Sequence, residues 1–337
     1  MFEKSSVQTG DPGAARGLPV AVSSGLSLDR CSAVGPVASG CAHDRRNATG
    51  RSVTRVSGDD GVSLLWAGLV VVVVTALAIT AMLLVRRRAP AGSYFEDGDR
   101  AAGVFGVLAT GFAVLLGFVV FLAFESFDTS RSGAEAEAQI VTEQFETAQL
   151  FPVAVRTRLS GELVCYARTV IHQEWPQMHA GTLGETINPW GLATFRTLKT
   201  VEPRSAPEQA AYAKWLDQRS DREDARADRT HGAEGVIPAP LWIVLLLSAA
   251  AIFVFMLFFA DSAERAVVQA TMMGSVAIVI SSTLLLLWFL DNPYHAGIGS
   301  LRPVAMERAI RILNQDAAVV SGKLTIPCDE RGTPRGG

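Results

Sequence analysis

Four long apolar runs organise the chain, at residues 62–85, 101–124, 241–260 and 267–290. The first is uncharged and β-branched at its centre, Val70 to Val74, a composition that would suit a buried strand at a quarter of the length. Its 24 residues rise about 36 Å as a helix, enough to cross a hydrocarbon core of roughly 30 Å. It stops at Arg86-Arg87-Arg88. The second run carries Gly103, Gly106, Gly111 and Gly117, small residues that let helices approach closely in lipid. The third follows Pro238 and Pro240, which suit the first turn of a helix. The fourth ends at Asp291-Asn292-Pro293, where the residue before proline leaves helical geometry. Only a short polar turn with Asp261, Glu264 and Arg265 separates the last two runs, so they are expected to form an antiparallel hairpin. The pattern predicts an all-α integral membrane protein with four transmembrane helices and the lipid bilayer as its solvent.

Between spans two and three the period is also helical. Ile140, Val141, Gln144, Phe145 and Ala148 recur at three-and-four spacing, so span two is expected to continue beyond the bilayer. Pro152 interrupts it. Val155, Leu159, Leu163, Tyr166, Val170 and Ile171 form a second face, which Trp175-Pro176 is expected to close. A short helix at 190–200 and a longer one opened by Ser205-Ala206-Pro207-Glu208 follow. The alternating charges at 217–229 read as a solvated helix face. Residues 303–315 offer one more amphipathic helix through Val304, Met306, Ile310 and Leu313. Residues 1–60 are rich in Gly, Ser, Ala, Arg and Val without periodicity and are expected to be disordered; they lack the order of a signal peptide. The domain reading is 1–60 extension, 61–126 spans one and two, 127–237 helical extramembrane domain, 238–290 spans three and four, and 291–337 amphipathic helix and tail.

Composition agrees: 49% hydrophobic, 19% charged and a mean hydropathy of +0.27 are too apolar for an ordinary soluble domain. The net charge of -3, with 30 basic residues spread along the chain, leaves no basic footprint for nucleic acid. Cys31, Cys41, Cys165 and Cys328 are too scattered for a disulfide scaffold or thiolate metal site, and Cys31, Cys41 and His43 match no standard ligand spacing. No metal or cofactor is implied.

The densest positive cluster near span ends is Arg86 to Arg88 with Arg100, which places the loop between spans one and two in the cytoplasm. Both termini and the 127–237 domain are then expected outside. Cys165 and Cys328 would share an oxidising compartment, where a disulfide between them is one reading and two unrelated thiols the other.

Over residues 62 to 330 the chain resembles the bestrophin-like domain family of bacterial membrane proteins, a family without an assigned activity. The likeness lies in Glu137-Ala138, in Phe151-Pro152 followed by Arg156, and in Tyr166-Ala167-Arg168-Thr169-Val170-Ile171 running into Glu174-Trp175-Pro176 and Gly181. It continues in Pro240-Leu241-Trp242, Asp291, Pro293 and Gly297. The resemblance implies four spans with a helical domain between the second and third. More distantly it implies a relation to bestrophins, pentameric anion channels gated in part by calcium, whose second span lines the pore. That makes Phe105, Phe112, Leu116 and Phe118 candidate pore-lining residues, against the alternative of plain helix packing. It also implies a homo-oligomer in the bacterial inner membrane. Two features depart from bestrophins: Asp291 stands alone where they carry an acidic calcium clamp, and they keep the 127–237 equivalent in the cytosol.

For an enzyme the polar candidates would be His172, Glu174, His179, Asp291 and His295. Pro176 is expected to break any helix that would align His172 with His179, and no nucleophile, zinc or phosphate-loop motif is present. The apolar cores of the spans contain no ionisable residue, which counts against a proton-coupled transporter; Ser281, Ser282 and Thr283 are the main polar group there. The expectation is a non-enzymatic ion channel, with a non-conducting sensor or scaffold as the alternative.

Overall fold

The structure, a computed structural model, describes residues 58–91, 94–182, 187–297, 299–320 and 324–335. The disorder expected for residues 1–57, with Cys31 and Cys41, lies outside them; residues 58–60 already belong to the first helix. In chain order the helices are α1 (Gly58–Arg86), α2 (Gly98–Ala148) and α3 (Val153–Thr169). A π-helical turn (Val170–Glu174) leads from α3 into α4 (Trp175–His179). Then come α5 (Pro189–Leu198), α6 (Ala206–Thr230), α7 (Ala239–Phe258), α8 (Ala266–Asp291) and α9 (Val304–Val320).

α1, α2, α7 and α8 are long and apolar enough to span a membrane. With 51 residues, α2 rises about 76 Å, so one rod runs through both the membrane bundle and the domain beyond it. In the bundle, Phe112, Leu116, Val119 and Ala123 of α2 pack on Leu245, Ala249 and Ile252 of α7 and on Ile280 and Leu287 of α8. Although α7 and α8 are consecutive, they touch little; α7 packs mainly on α2, and α8 on α1 and α2. The expected hairpin is therefore a chain connection more than a packing unit. A small residue sets the α1–α8 contact: a Cβ on Gly274 would lie 3.1 Å from Ile79 Cδ1. By contrast, among the described residues no atom outside α2 comes within 4 Å of a Cβ built on Gly103, Gly106, Gly111 or Gly117, so the glycines of span two do not serve packing against these elements.

At the far end of the bundle, Arg86 donates to the carbonyls of Ser262 (3.1 Å) and Glu264. The Tyr94 amide donates to the Phe258 carbonyl at 3.3 Å. The α1–α2 and α7–α8 loops thus share one end, and a cluster of Phe95, Phe105, Phe255 and Phe259 fills the space beneath them.

The extramembrane core joins Val141 and Phe145 of α2, Leu159, Leu163 and Tyr166 of α3, Trp215 of α6 and Leu313 of α9. Pro176 does not end the α3 helix as expected. The π turn lets the Trp175 amide reach back to the Val170 carbonyl, and this widened register puts Pro176 in the first turn of α4, where its missing amide is not needed. α6 begins at the expected serine: Ser205 Oγ accepts from the Glu208 amide and Glu208 accepts from the Ser205 amide, both at 3.4 Å.

Candidate functional site

The junction of α2 and α6 carries the most unusual chemistry. On α6 the buried positions are Ala211, Trp215, Gln218, Arg222, Ala225 and Arg229; on α2 they include Ser126, Ser130, Gly133, Glu137, Val141, Gln144 and Ala148. These four-and-three spacings are the seam of a two-helix coil. A Cβ on Gly133 would lie 2.5 Å from the Arg229 amide nitrogen and 2.8 Å from the Ala225 carbonyl, so only glycine permits the approach. The solvated face expected for 217–229 is thus corrected, because Arg222 and Arg229 have 0% exposure. Every seventh residue of that run returns to the seam, and the carboxylates and amides of α2 and of the π turn make burial of a guanidinium tolerable.

Arg229 sits between two carboxylates, both fully buried. Its Nε and Nη2 donate to Glu137, and Nη2 also donates to Glu174 Oε2 at 2.6 Å. Arg226 Nε reaches the same Glu174 oxygen at 3.3 Å, and Asn188 Nδ2 donates to Glu174 Oε1 at 2.9 Å. Tyr166 donates its hydroxyl to Glu137 Oε1 at 2.5 Å, and Tyr294 donates to the Arg229 carbonyl. Two helical turns away, Arg222 Nη1 donates to Gln144 Oε1 at 2.6 Å while its guanidinium stacks 4.5 Å above the Tyr166 ring.

Burial alone would raise the Glu174 carboxyl, but Arg229 and Arg226 outweigh it and hold the group below the usual 4.5. Burial would likewise strip Arg229 of its proton, and the two carboxylates reverse this and raise it. Burial, then the Glu137 charge, pushes Tyr166 well above 10; burial drives Tyr294 up to about 12. Glu174, Arg229 and both tyrosines therefore exchange no proton near neutrality. The arrangement is a fixed-charge clamp, tying α2, the π turn, α6 and the segment after α8 into one unit.

The family-motif residues converge around this clamp. Glu174 is part of it, and Trp175 lies under Arg229, with its indole donating to the Leu301 carbonyl at 3.2 Å and packing edge-on to Tyr294. Pro176 is exposed. Asp291 ends α8 and caps the approach to α7: Oδ1 accepts from the Val236 and Ile237 amides at 2.8 and 2.9 Å, and Oδ2 accepts from Trp242 Nε1 at 3.3 Å. Pro293 abuts Gly232, where an added Cβ would meet both Pro293 Cγ and Ser130 Oγ at 2.8 Å. Gly297 adopts φ 144°, a conformation that favours glycine. Together Asp291, Pro293 and Gly297 shape the corner where the chain leaves the bundle.

Cys165 and Cys328 are joined by a disulfide. It fixes the chain end to α3 together with Arg168 Nη1 donating to the Asp329 carbonyl (2.9 Å), Thr169 Oγ1 to the Gly332 carbonyl (3.2 Å) and Trp190 Nε1 to the same carbonyl (2.7 Å). The four pore-lining candidates do not share a face. Phe112 and Leu116 are buried against α7 and α8, and Phe105 stacks on Phe255 at 5.8 Å. Phe118 is 68% exposed. His172 is exposed, His179 Nδ1 pairs with the Tyr294 carbonyl at 2.6 Å, and His295 Nδ1 with the Asn292 carbonyl at 2.6 Å. Glu174 faces the clamp instead of either histidine. Among the described residues, no three His, Cys, Asp or Glu side chains gather as metal ligands.

The clamp partners Arg222, Arg226 and Arg229, and the role of Tyr294, were not evident from the sequence pattern. The available signal was the recurrence of Trp215, Arg222 and Arg229 at intervals of seven, which a charge-first reading of the run obscures.

Comparison with known proteins fits this architecture. The bestrophin-like domain model matches residues 63–306. A bacterial bestrophin homologue from Klebsiella pneumoniae, solved as a single-substitution variant, superposes with TM-score 0.55 at 14% identity, over 77% of this chain and all of that one. A second variant gives TM-score 0.55 at 14% identity over 76% and 99%. A structure described only as a membrane protein gives TM-score 0.56 at 13% identity over 74% and 98%. No curated protein matches the chain. The matched domain covers most of the chain, including the four spans and the clamp, and the chain belongs to the bestrophin-like domain family.

Proposed function

We propose that the protein is an anion channel of the bacterial inner membrane that works as a homo-oligomer, with the exposed face of α2 lining the pore. The carrying observation is that face. Val104, Val107, Gly111, Val114, Phe118 and Phe121 repeat at three-and-four spacing and are exposed, on the side of α2 opposite the Phe112–Leu116 packing. A Cβ built on any of the second-span glycines meets no atom of another element within 4 Å, so nothing among the described residues hinders close approach of a second copy there. An apolar ring at Phe118 would gate by dewetting. Beyond the bilayer, an open groove between α2 and α9 is floored by Ala134, Ala138 and Ala305 and edged by Arg131, Glu135 and Arg308, a surface suited to a neighbouring copy.

Sidedness is part of the proposal. Arg86 to Arg88 and Arg100 favour a cytoplasmic α1–α2 loop, and the Cys165–Cys328 disulfide suits an oxidising compartment. Both support external termini and an external domain, opposite to bestrophins. A non-conducting sensor is the second reading, since the clamp couples the domain to α2 equally well for that purpose. Chloride efflux from liposomes containing purified protein separates the two. The channel reading expects efflux above protein-free vesicles and its loss in Phe118→Asp; no efflux at any voltage, pH or calcium level overturns it.

A further inference from the structure

A cavity of about 330 Å³ opens where the start of α5 faces α6, outside the pore face and the disulfide. It is lined by Tyr166, Asn188, Gly191, Leu192, Arg219 and Arg226, among others. Its volume lies at the small end of ligand pockets. Two arginines of α6 line it and a third lies behind the wall. Arg219 and Arg226 stand two turns apart on its wall, and Arg222 lies behind Gly191: a Cβ built on Gly191 would sit 3.7 Å from Arg222 Nη2. The start of α5, with its positive end, completes the same wall.

Arg222 is the informative residue. It is fully buried, yet among the described residues its Nε and Nη2 have no hydrogen-bond partner, and Arg219 Nε also has none. Gln144 holds Nη1 and the Tyr166 ring supports the guanidinium plane, but buried donors left unpaired are costly. Its nearest anion is Glu223, whose Oε1 lies 3.7 Å from Arg222 Nη2, beyond hydrogen-bond distance, on a side chain that is 44% exposed. The same Oε1 would lie 3.6 Å from a Cβ on Gly191. The protein thus holds its own carboxylate loosely at the cavity, where it can swing into solvent.

We propose that this cavity binds a small organic carboxylate, which takes the place of Glu223 beside Arg222 and Arg219 while its apolar part rests on Leu192 and the Tyr166 ring. Planar guanidiniums match a carboxylate in two-point fashion, and the apolar wall favours a ligand with a carbon body over an inorganic anion. Because Arg222 bonds Gln144 of α2 and Arg226 bonds Glu174 of the clamp, occupancy would bear directly on the long helix that enters the membrane. The proposal does not depend on conduction.

The test is calorimetric titration of the detergent-solubilised full-length protein with acetate, succinate and benzoate, using benzamide as the uncharged control. At least one carboxylate binds saturably and benzamide does not. Affinity falls tenfold or more in Arg219→Gln and in Gly191→Val, and rises several-fold in Glu223→Gln, where the resident carboxylate is gone. Gly191→Ala, whose nearest contacts at 3.6 to 3.7 Å are ordinary packing distances, keeps the fold and also weakens binding if the Val variant fails to fold. The proposal is overturned if none of the three carboxylates binds saturably, if benzamide binds as well as benzoate, or if Arg219→Gln and Gly191→Ala leave affinity unchanged.

Discussion

Replacing Arg229 with Met isolates what the clamp contributes. The methionine fills similar space but removes the cation between Glu137 and Glu174, all three side chains being fully buried. Breaking a buried ion pair by deleting one partner costs about 3–5 kcal/mol, mostly from the charge left behind. At roughly 2–4 °C per kcal/mol, the apparent unfolding midpoint in detergent should fall by about 6–20 °C at pH 8. The sign of the pH dependence follows from Glu174. In the native protein its carboxyl is held below 4.5 by Arg229 and Arg226, so its stabilisation is present above that value and lost as pH falls through the lowered one. In the variant, burial stays and the main cation beside Glu174 is gone, so Glu174 takes up a proton more readily and acid relieves the strain of its buried charge. The gap between native and variant therefore narrows from pH 8 to pH 5. Adding Glu137→Gln and Glu174→Gln to Arg229→Met should recover much of the loss. A gap that stays constant with pH, or a triple variant no better than the single one, refutes the reasoning.

Gly133→Ala pushes a Cβ to 2.5 Å from the Arg229 backbone, and thermal unfolding should show a loss of about 1–3 kcal/mol, more than Gly103→Ala, whose site is open. Reduction of the Cys165–Cys328 disulfide, which closes a separation of 163 residues, should cost about 2–4 kcal/mol; the Cys165→Ser/Cys328→Ser protein should show no response to reductant. Asp291→Ala strips acceptors from the Val236 and Ile237 amides and the Trp242 indole, with an expected loss of about 1.5–3 kcal/mol and a shifted Trp emission. A Ser220→Cys protein with Cys31, Cys41, Cys165 and Cys328 changed to Ser should react with an impermeant thiol reagent on intact cells; reaction only after lysis would place the domain in the cytosol.

The spans were legible because a membrane imposes length and apolarity on each helix separately. The continuation of α2 beyond the bilayer was legible from an unbroken period. What one helix does to another was not. The charges at 217–229 have ordinary alternation, and nothing within α6 reveals that Arg229 faces Glu137, distant in sequence, or that Glu174 swings in through a π turn. The same holds for Phe112 and Phe118: both are apolar residues of one span, and only the placement of α7 and α8 tells the packed face from the exposed one. Pro176 misled for a local reason, since a wide turn absorbs a proline that an α-helix would not.

The most direct measurement of the central proposal is thiol block of chloride current through protein reconstituted in planar bilayers, comparing Phe118→Cys with Phe112→Cys, each with the four native cysteines changed to Ser. A charged, water-soluble methanethiosulfonate should block the Phe118→Cys current and leave the Phe112→Cys current intact, because Phe118 faces out from α2 and Phe112 packs on α7 and α8. Chloride current that the reagent leaves unchanged at Phe118→Cys, or no current from the native protein, would contradict the account.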